Sequence, residues 1–262
     1  MRLAIRIGWW GAGFAGSQRQ AGERTVEGEV IRASRSAGLF RDPRRAGFSL
    51  SGRTDRGVHA RAQVGALTTD HPERVGDVLN RALPPDIWLT GVTPVQEYWH
   101  PRHDVVSRTY RYFFAEPVLD PVAMDRAAAL FEGEHDFSRL ARARSKYPVR
   151  RVVCSRVLPG DRGPVFEIAA HGFLWHQVRC MATVLEQVGR GEADGALVSR
   201  LLSGECRRNP PAAPATGLVL WEVETGFAFA PVEPGERHDG FLAATAEAHR
   251  VQAGLASRLR EE

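Results

Sequence analysis

The chain has 262 residues, of which 43% are hydrophobic and 25% are charged, and its 35 Lys+Arg exceed 31 Asp+Glu to give a formal net charge of +4. This composition is typical of a globular protein with a substantial core, and it excludes a disordered, collagen-like or disulfide-stapled chain. No apolar run is long enough to cross a bilayer, and glycines follow the N-terminus too closely for a signal sequence, so we expect a cytoplasmic protein without a membrane segment.

The first part of the sequence predicts strands that alternate with short helices. Residues 3–9 have the side-chain alternation of a strand. A helix is predicted to begin near Val26 and to stop near Gly38, where the apolar spacing ends. Further strands are predicted at 47–51, 62–69, 87–92 and 104–115, with a short helix at 73–83 that the following prolines end.

The second part predicts a similar succession of elements. Asp120 and Pro121 are typical of a helix start, and this helix is expected to reach about Glu132 and to stop at Gly133. Apolar side chains recur three and four residues apart from Leu174 to Val188, which predicts a long helix packed on a sheet. The other predicted elements are strands at 149–158, 164–171 and 218–224, and helices at 193–203 and 238–261.

These elements indicate an α+β fold with antiparallel hairpins rather than strict alternation of parallel strands and helices. They form two similar halves joined near residues 115–145. We therefore expect an N-terminal half over 1–115, a C-terminal half over 116–226, and a helical extension over 227–262 to which the sequence assigns no role.

Basic residues cluster in one segment that contains no acid. Within thirteen residues the sequence places Arg139, Arg142, Arg144, Lys146, Arg150 and Arg151. The segment is either a solvated surface or a patch that contacts phosphates, and charge alone leaves both interpretations open.

A glycine-rich segment, Gly11–Gly16, has the spacing G-x-G-x-x-G after a strand. A dinucleotide site requires such glycines to open an apolar helix, whereas the residues that follow are polar and the next helix starts near Val26. This disfavours a nicotinamide oxidoreductase and predicts a loop at a strand end.

Histidines and cysteines do not have the spacing of metal ligands. His100, His103, His171 and His176 are interpreted as surface or hydrogen-bonded side chains. The three cysteines lie far apart in the sequence and are predicted to be small buried hydrophobic residues. We expect no metal site.

The loop GRTDRGVHA, residues 52–60, places Asp55 between Arg53 and Arg56, and glycines at 52 and 57 permit a tight turn. Asp55 is either a turn former that bonds its own backbone or an ionised carboxylate available as nucleophile or base. The spacing alone does not decide between them.

This loop resembles the signature of the TruA family of tRNA pseudouridine synthases. The resemblance continues in order along the chain in FAGSQRQ (14–20), TVEG (25–28), HPRHD (100–104), SRTYRY (107–112), GEHDFS (133–138), GFLWHQVRCM (172–181) and APATGL (213–218). It implies two related α/β halves that share a mixed, mainly antiparallel sheet, with helices on one face and a central basic cleft.

The resemblance also implies an activity and its residues. The expected reaction isomerises uridine to pseudouridine in the anticodon arm of tRNA, near positions 38 to 40, without a cofactor, in a homodimer whose subunits both touch the tRNA. Asp55 would act at ribose C1′ or remove the 2′ proton, and Arg179 would pair with Asp55. Tyr110 would stack on the flipped base and also assist proton loss from C5. Candidate substrate contacts are Gln18, Arg53, Arg56, His59 and Arg108.

Two further points qualify these roles. Trp175 lies four residues before Arg179 in the predicted helix, and its apolar character favours pairing of Arg179 over solvent exposure. The competing function is an RNA-binding module that uses the same groove without turnover, and the presence of Asp55, Tyr110 and Arg179 argues against it.

Overall fold

The computed structural model describes residues 1–115, 119–142 and 146–259. Arg144 of the basic cluster and the last two residues of the helix predicted at 238–261 lie outside these ranges. Among the described residues, none of the helices has the length and apolar character needed to cross a membrane.

The strands of the described chain form one sheet. In chain order they are β1 (Arg2–Trp9), β2 (Ser49–Leu50), β3 (His59–Thr68), β4 (Ile87–Pro94), β5 (Ser107–Phe113), β6 (Gly133–Asp136), β7 (Val149–Leu158), β8 (Val165–Ala170), β9 (Leu218–Glu224) and β10 (Ala230–Pro231). Their order across the sheet is β10-β4-β1-β3-β9-β5-β8-β7-β6, with β2 beside β3.

Among the described strand pairs, β3 and β9 are parallel and the others are antiparallel. The predicted α+β class with a mixed, mainly antiparallel sheet is confirmed. The β3–β9 pair joins the two parts of the sheet, and β5 lies beyond it between β9 and β8. The boundary predicted at residue 115 stays a prediction, but the sheet places β5 with the C-terminal strands.

Six helices accompany the sheet in the described chain. They are α1 (Val26–Ser36), α2 (Val75–Ala82), α3 (Pro121–Ala129), α4 (Gln177–Gly189), α5 (Gly195–Leu202) and α6 (Glu236–Arg258). α1 contacts α2, and α3 contacts α4. On β1, the alternate residues Leu3, Ile5 and Ile7 are fully buried and join these helices in one apolar core.

The start of α3 agrees with the prediction made from Asp120, and α1 is capped by Thr25 in the same way. Thr25 accepts a hydrogen bond from the amide of Gly28 at the start of α1, and Asp120 accepts from the amides of Val122 and Ala123 at the start of α3. α6 is anchored at its first turn, where the buried ring of His238 lies 3.0 Å from the carbonyl oxygen of Pro85. The extension therefore packs on the N-terminal part of the molecule.

Some predicted boundaries were wrong. α3 ends at Ala129 instead of about Glu132, and the segment after it contains β6, a strand that was not predicted and that pairs with β7. α4 begins at Gln177 instead of Leu174, because His176 has φ 63° and interrupts the helical path. β5 begins at Ser107, since residues 100–104 form a turn in which Asp104 accepts from the amide of His100.

Candidate active site

A cavity of about 1030 Å³ opens where the two parts of the sheet meet. Its walls come from the loop 51–56, the segment 172–179 and β5, with contributions from residues 15–20. Asp55, Tyr110 and Arg179 all line it, as do Gln18, Arg53, Arg56 and Arg108. Residues far apart in sequence thus share one cavity, as expected for these seven.

Asp55 is held by three donors from one short segment. Its Oδ1 accepts a hydrogen bond of 3.0 Å from Trp175 Nε1, and its Oδ2 accepts one of 3.1 Å from Arg179 Nη1. The Nε2 of His176 lies 3.1 Å from the same Oδ2. The Asp55 side chain remains 27% exposed, so the carboxylate is oriented by these contacts yet open to the cavity.

Arg179 is fixed on both sides of its guanidinium. While Nη1 binds Asp55, Nε donates to the carbonyl oxygen of Ala213 at 2.7 Å. Only 15% of its side chain is exposed. A planar guanidinium can serve two acceptors in fixed directions, which a lysine ammonium cannot reproduce.

The loop that carries Asp55 is braced by the glycine segment 11–16. A Cβ on Gly11 would lie 2.3 Å from the carbonyl oxygen of Val58, and Gly16, with φ 122°, approaches the carbonyl of Thr54. Ser17 and Thr54 exchange two hydrogen bonds beside this contact. Gly11 and Gly16 therefore allow two backbones to meet, a role that involves no dinucleotide.

His176 has the left-handed backbone conformation that non-glycine residues seldom adopt, and such strain is concentrated at functional sites. This geometry aims both Trp175 and His176 at Asp55. Burial lowers the pKa of His176, the Asp55 charge opposes this effect, and the charges of Arg179 and Arg142 add to it. The imidazole is therefore neutral at neutral pH, and with an ionised Asp55 its Nε2 is the protonated nitrogen.

Tyr110 forms the buried floor of the cavity. Its ring lies 5.3 Å from that of Phe173 in an edge-to-face arrangement. Burial raises the pKa of Tyr110 to about 12, Arg108 opposes this, and the Asp55 charge adds to it. The side chain is consequently a neutral phenol at neutral pH.

Arg108 lines the cavity, but its guanidinium is hydrogen-bonded to the backbone of the protein. Its guanidinium donates to the carbonyl oxygens of Ser51, Arg102 and His171. Burial lowers the pKa of Arg108. Its position supports a role in holding three segments together, and the predicted substrate contact stays a prediction.

The other predicted contacts differ in position. Arg53 and Arg56 are exposed at the cavity mouth, where Arg56 also pairs with Glu23 at 3.2 Å. Gln18 is half-buried on the wall. His59 is buried behind the loop, where its Nδ1 accepts from the amide of Gly11, and it does not line the cavity. Its position gives no support to the predicted substrate contact.

Two residues at the centre of the site were not assigned to it from the sequence. Trp175 was interpreted as an apolar neighbour on the helix of Arg179, but it precedes α4 and hydrogen-bonds Asp55. His176 was interpreted as a surface or hydrogen-bonded side chain, and it contacts Asp55. The signal that could have found them is their adjacency to Arg179 in the segment WHQVR, although nothing in that string reveals a left-handed residue.

Arg142 of the basic cluster lies beside the site. The amide of Arg142 donates to the carbonyl of Trp175 at 3.1 Å. Arg150 instead donates to the carbonyls of Tyr147 and Val149. The solvated-surface and phosphate-contact interpretations of the cluster both stay predictions. Within the described ranges, no group of three or more His, Cys, Asp or Glu side chains could hold a metal ion.

Comparison with known proteins adds independent information. The family described as tRNA pseudouridine synthase matches residues 127–225. A curated relative named tRNA pseudouridine synthase A, from Methanosphaerula palustris, is 58% identical over 90% of this chain and 85% of its own length. A relative of the same name from Methanoculleus marisnigri is 46% identical over 100% of this chain and 97% of its own length. Another, from Thermococcus kodakarensis, is 38% identical over 90% of this chain and 89% of its own length.

Solved structures give a weaker likeness. A chain of the archaeal box H/ACA sRNP Nop10-Cbf5 complex matches 70% of this chain and 44% of its own length, with 13% identity and a TM-score of 0.36. That score is too low to support an argument.

Proposed function

We propose that this chain, which belongs to the tRNA pseudouridine synthase family, isomerises uridine to pseudouridine in the anticodon arm of tRNA, near positions 38 to 40. The observation that carries the proposal is the Asp55 carboxylate, oriented by Trp175, His176 and Arg179 and open to a cavity. The arrangement suits a group that must reach the sugar of an extruded nucleotide.

The reaction rearranges one nucleotide without adding an atom. The bond between ribose C1′ and uracil N1 breaks, the uracil turns, a bond forms between C1′ and C5, and the proton on C5 is lost while N1 gains one. Product and substrate are isomers, so no oxidant, reductant or cofactor enters the balance. The protein has to extrude the base, stabilise positive character at the sugar, and move protons.

Asp55 supplies the negative charge at the sugar. The carboxylate either adds to C1′ or removes the 2′ proton toward a glycal intermediate, and both routes pass through a cationic sugar that a carboxylate stabilises. The ion pair with Arg179, at 3.1 Å, places a positive charge beside this carboxylate and holds it in the cavity. Trp175 and His176 fix its direction.

Tyr110 acts by stacking. A neutral, buried phenol backed by Phe173 offers an apolar face to an extruded uracil. The same burial makes ionisation of the phenol unfavourable at neutral pH, so the ring is better suited to stacking than to accepting the C5 proton.

Binding of tRNA involves the arginines at the cavity mouth. Arg53 and Arg56 are exposed beside Asp55 and can contact phosphates on either side of the target. The cleft is therefore basic at its rim. We further propose that the enzyme works in the cytoplasm as a homodimer, with both subunits contacting one tRNA.

Release of tritium from tRNA carrying 5-tritiated uridine tests the activity, because the C5 hydrogen is lost in the isomerisation. Asp55→Asn and Asp55→Ala are expected to bind tRNA with nearly unchanged affinity and to release no tritium. Asp70→Asn, which alters an exposed carboxylate outside the cavity, is the matched control and should retain the rate. Turnover by either Asp55 variant would remove this carboxylate from the mechanism, and inactive unaltered protein would refute the activity.

The target position is tested in vivo. Mapping pseudouridines in tRNA from cells that lack this protein should show uridine restored at positions 38 to 40. Loss of pseudouridine elsewhere, with these positions intact, would move the target outside the anticodon arm.

A further inference from the structure

Trp175 has an exposed aromatic ring whose orientation is fixed. The residue is 57% exposed, although large apolar side chains are normally withdrawn from water. Its Nε1 is tied to Asp55 Oδ1 at 3.0 Å, and its ring packs at 4.4 Å against the ring of His176. An exposed indole held in this way is already ordered before any ligand arrives.

The surroundings of this ring favour a nucleotide as its ligand. Trp175 lines the same cavity as Asp55, and Arg53 and Arg56 stand exposed at the rim. Aromatic faces next to arginines are the usual platform for unstacked bases, because the ring stacks on the base while the guanidinium contacts the phosphate. Tyr110, buried at the floor, is the stacking partner proposed for the target uracil.

We infer that the exposed face of Trp175 is a stacking subsite for the base of the nucleotide next to the target uridine. The hydrogen bond to Asp55 fixes this platform relative to the carboxylate. A base that stacks on Trp175 therefore sets the distance between the backbone of the RNA and Asp55. The inference rests on the proposed function and adds a second base-binding position to it.

Three variants separate stacking from the hydrogen bond. Trp175→Phe keeps an aromatic face and loses the N–H donor, whereas Trp175→Leu and Trp175→Ala lose both. Dissociation constants are measured with tRNA that already carries pseudouridine, so that turnover does not interfere, and kcat is measured by tritium release from unmodified tRNA.

The leucine and alanine variants are expected to raise Kd about tenfold, in keeping with the loss of one base–aromatic stack, and to lower kcat. Trp175→Phe is expected to keep Kd within about twofold and to lower kcat about tenfold, since Asp55 loses one of three restraints. Loss of stacking is thus measured by Kd, and loss of the restraint on Asp55 is measured by kcat.

A matched control is Trp221→Ala. Trp221 is a partly exposed tryptophan on β9 that lies outside the cavity, with its ring covered by the guanidinium of Arg111. Unchanged Kd is expected for this variant. The inference is overturned if Trp175→Leu and Trp175→Ala bind as tightly as the unaltered protein, if Trp175→Phe binds as weakly as they do, or if Trp221→Ala weakens binding equally. Since the unaltered enzyme must release tritium in the same assay, failure of the proposed function would be seen separately.

Discussion

Asp55 is joined to the rest of the cavity by side chains that each perform a different task. Arg179 supplies the charge, Trp175 and His176 supply direction, and none of the three restrains the carboxylate alone. Because Arg179 also holds the carbonyl of Ala213, its two bonds link Asp55 to the segment that precedes β9. Arg179 therefore supplies a positive charge beside Asp55 and also fixes the position of Asp55 relative to that segment.

Substitution of Arg179 tests that coupling. Arg179→Ala is expected to lower kcat at least a hundredfold, about the loss seen when one preorganised electrostatic group is removed. Arg179→Lys keeps the charge but cannot serve both acceptors, so an intermediate loss is expected. Tritium release measures both, with the exposed Arg200→Ala on α5 as control. Equal activities of Arg179→Lys and the unaltered enzyme would show that the bond to Ala213 is dispensable.

His176 makes stability depend on pH. Burial lowers its pKa in the folded state, so the unfolded chain binds more protons when the pH falls through the ordinary histidine range. The free energy of unfolding therefore rises as the pH rises between the lowered pKa and about 6.5. The groups that face this ring are Asp55, Arg179 and Arg142.

His176→Asn is expected to lose less stability than the unaltered protein between about pH 7.5 and pH 5.5, because asparagine does not titrate and tolerates the left-handed conformation. Urea unfolding at both pH values measures the difference. Exposed His71→Asn serves as control and should keep the pH dependence of the unaltered protein. An identical pH dependence for His176→Asn would mean that protonation of His176 is not linked to folding.

At the level of loops and strands, the glycine segment positions the Asp55 loop through contact between backbones. Gly11→Ala would place a Cβ against the carbonyl of Val58, and we expect a loss of about 1–3 kcal/mol in the free energy of unfolding together with reduced activity. Gly240→Ala, where a Cβ meets nothing within 4 Å, should be neutral or slightly stabilising. Urea unfolding compares the two. If Gly11→Ala is as stable as Gly240→Ala, the close approach does not constrain the loop.

Elements with strong local patterns were predicted within a few residues. The strands β7 and β9 have the predicted bounds, since branched apolar residues and flanking turns mark them clearly. β6 was missed because its four residues, GEHD, lack any apolar alternation and become a strand only by pairing with β7. Local sequence carries no information about such a partner.

Some residues of the site were predicted from the sequence and others were not. Asp55, Tyr110 and Arg179 belong to motifs of a family, so resemblance alone brought them together, and the structure places all three in one cavity. Trp175 and His176 depend on a single left-handed backbone residue, which the sequence does not mark with glycine. Their contacts with Asp55 therefore cannot be read from the sequence.

The cavity lies across the junction of the two parts of the sheet. The parallel register between β3 and β9 consists of His59 with Val219 and Ala60 with Leu220. Asp55 comes from one side of this junction and Arg179 from the other, so the site exists only when both parts are in place. Arg108 adds a second connection, since its donors reach carbonyls at Ser51 and His171.

Arg108→Met is expected to destabilise the whole fold, because three backbone carbonyls lose a buried charged donor, and a loss of about 3 kcal/mol in the free energy of unfolding follows. Its effect on the salt dependence of tRNA binding should be small, since the guanidinium is hydrogen-bonded to the backbone.

Arg53→Met, at the exposed rim, should leave the free energy of unfolding within about 0.5 kcal/mol of the unaltered value and reduce the slope of log Kd against log salt by about one. Urea unfolding and tRNA binding across a salt series measure both variants. A reduced slope for Arg108→Met would show instead that Arg108 reaches a phosphate, and that the connection across the junction is made elsewhere.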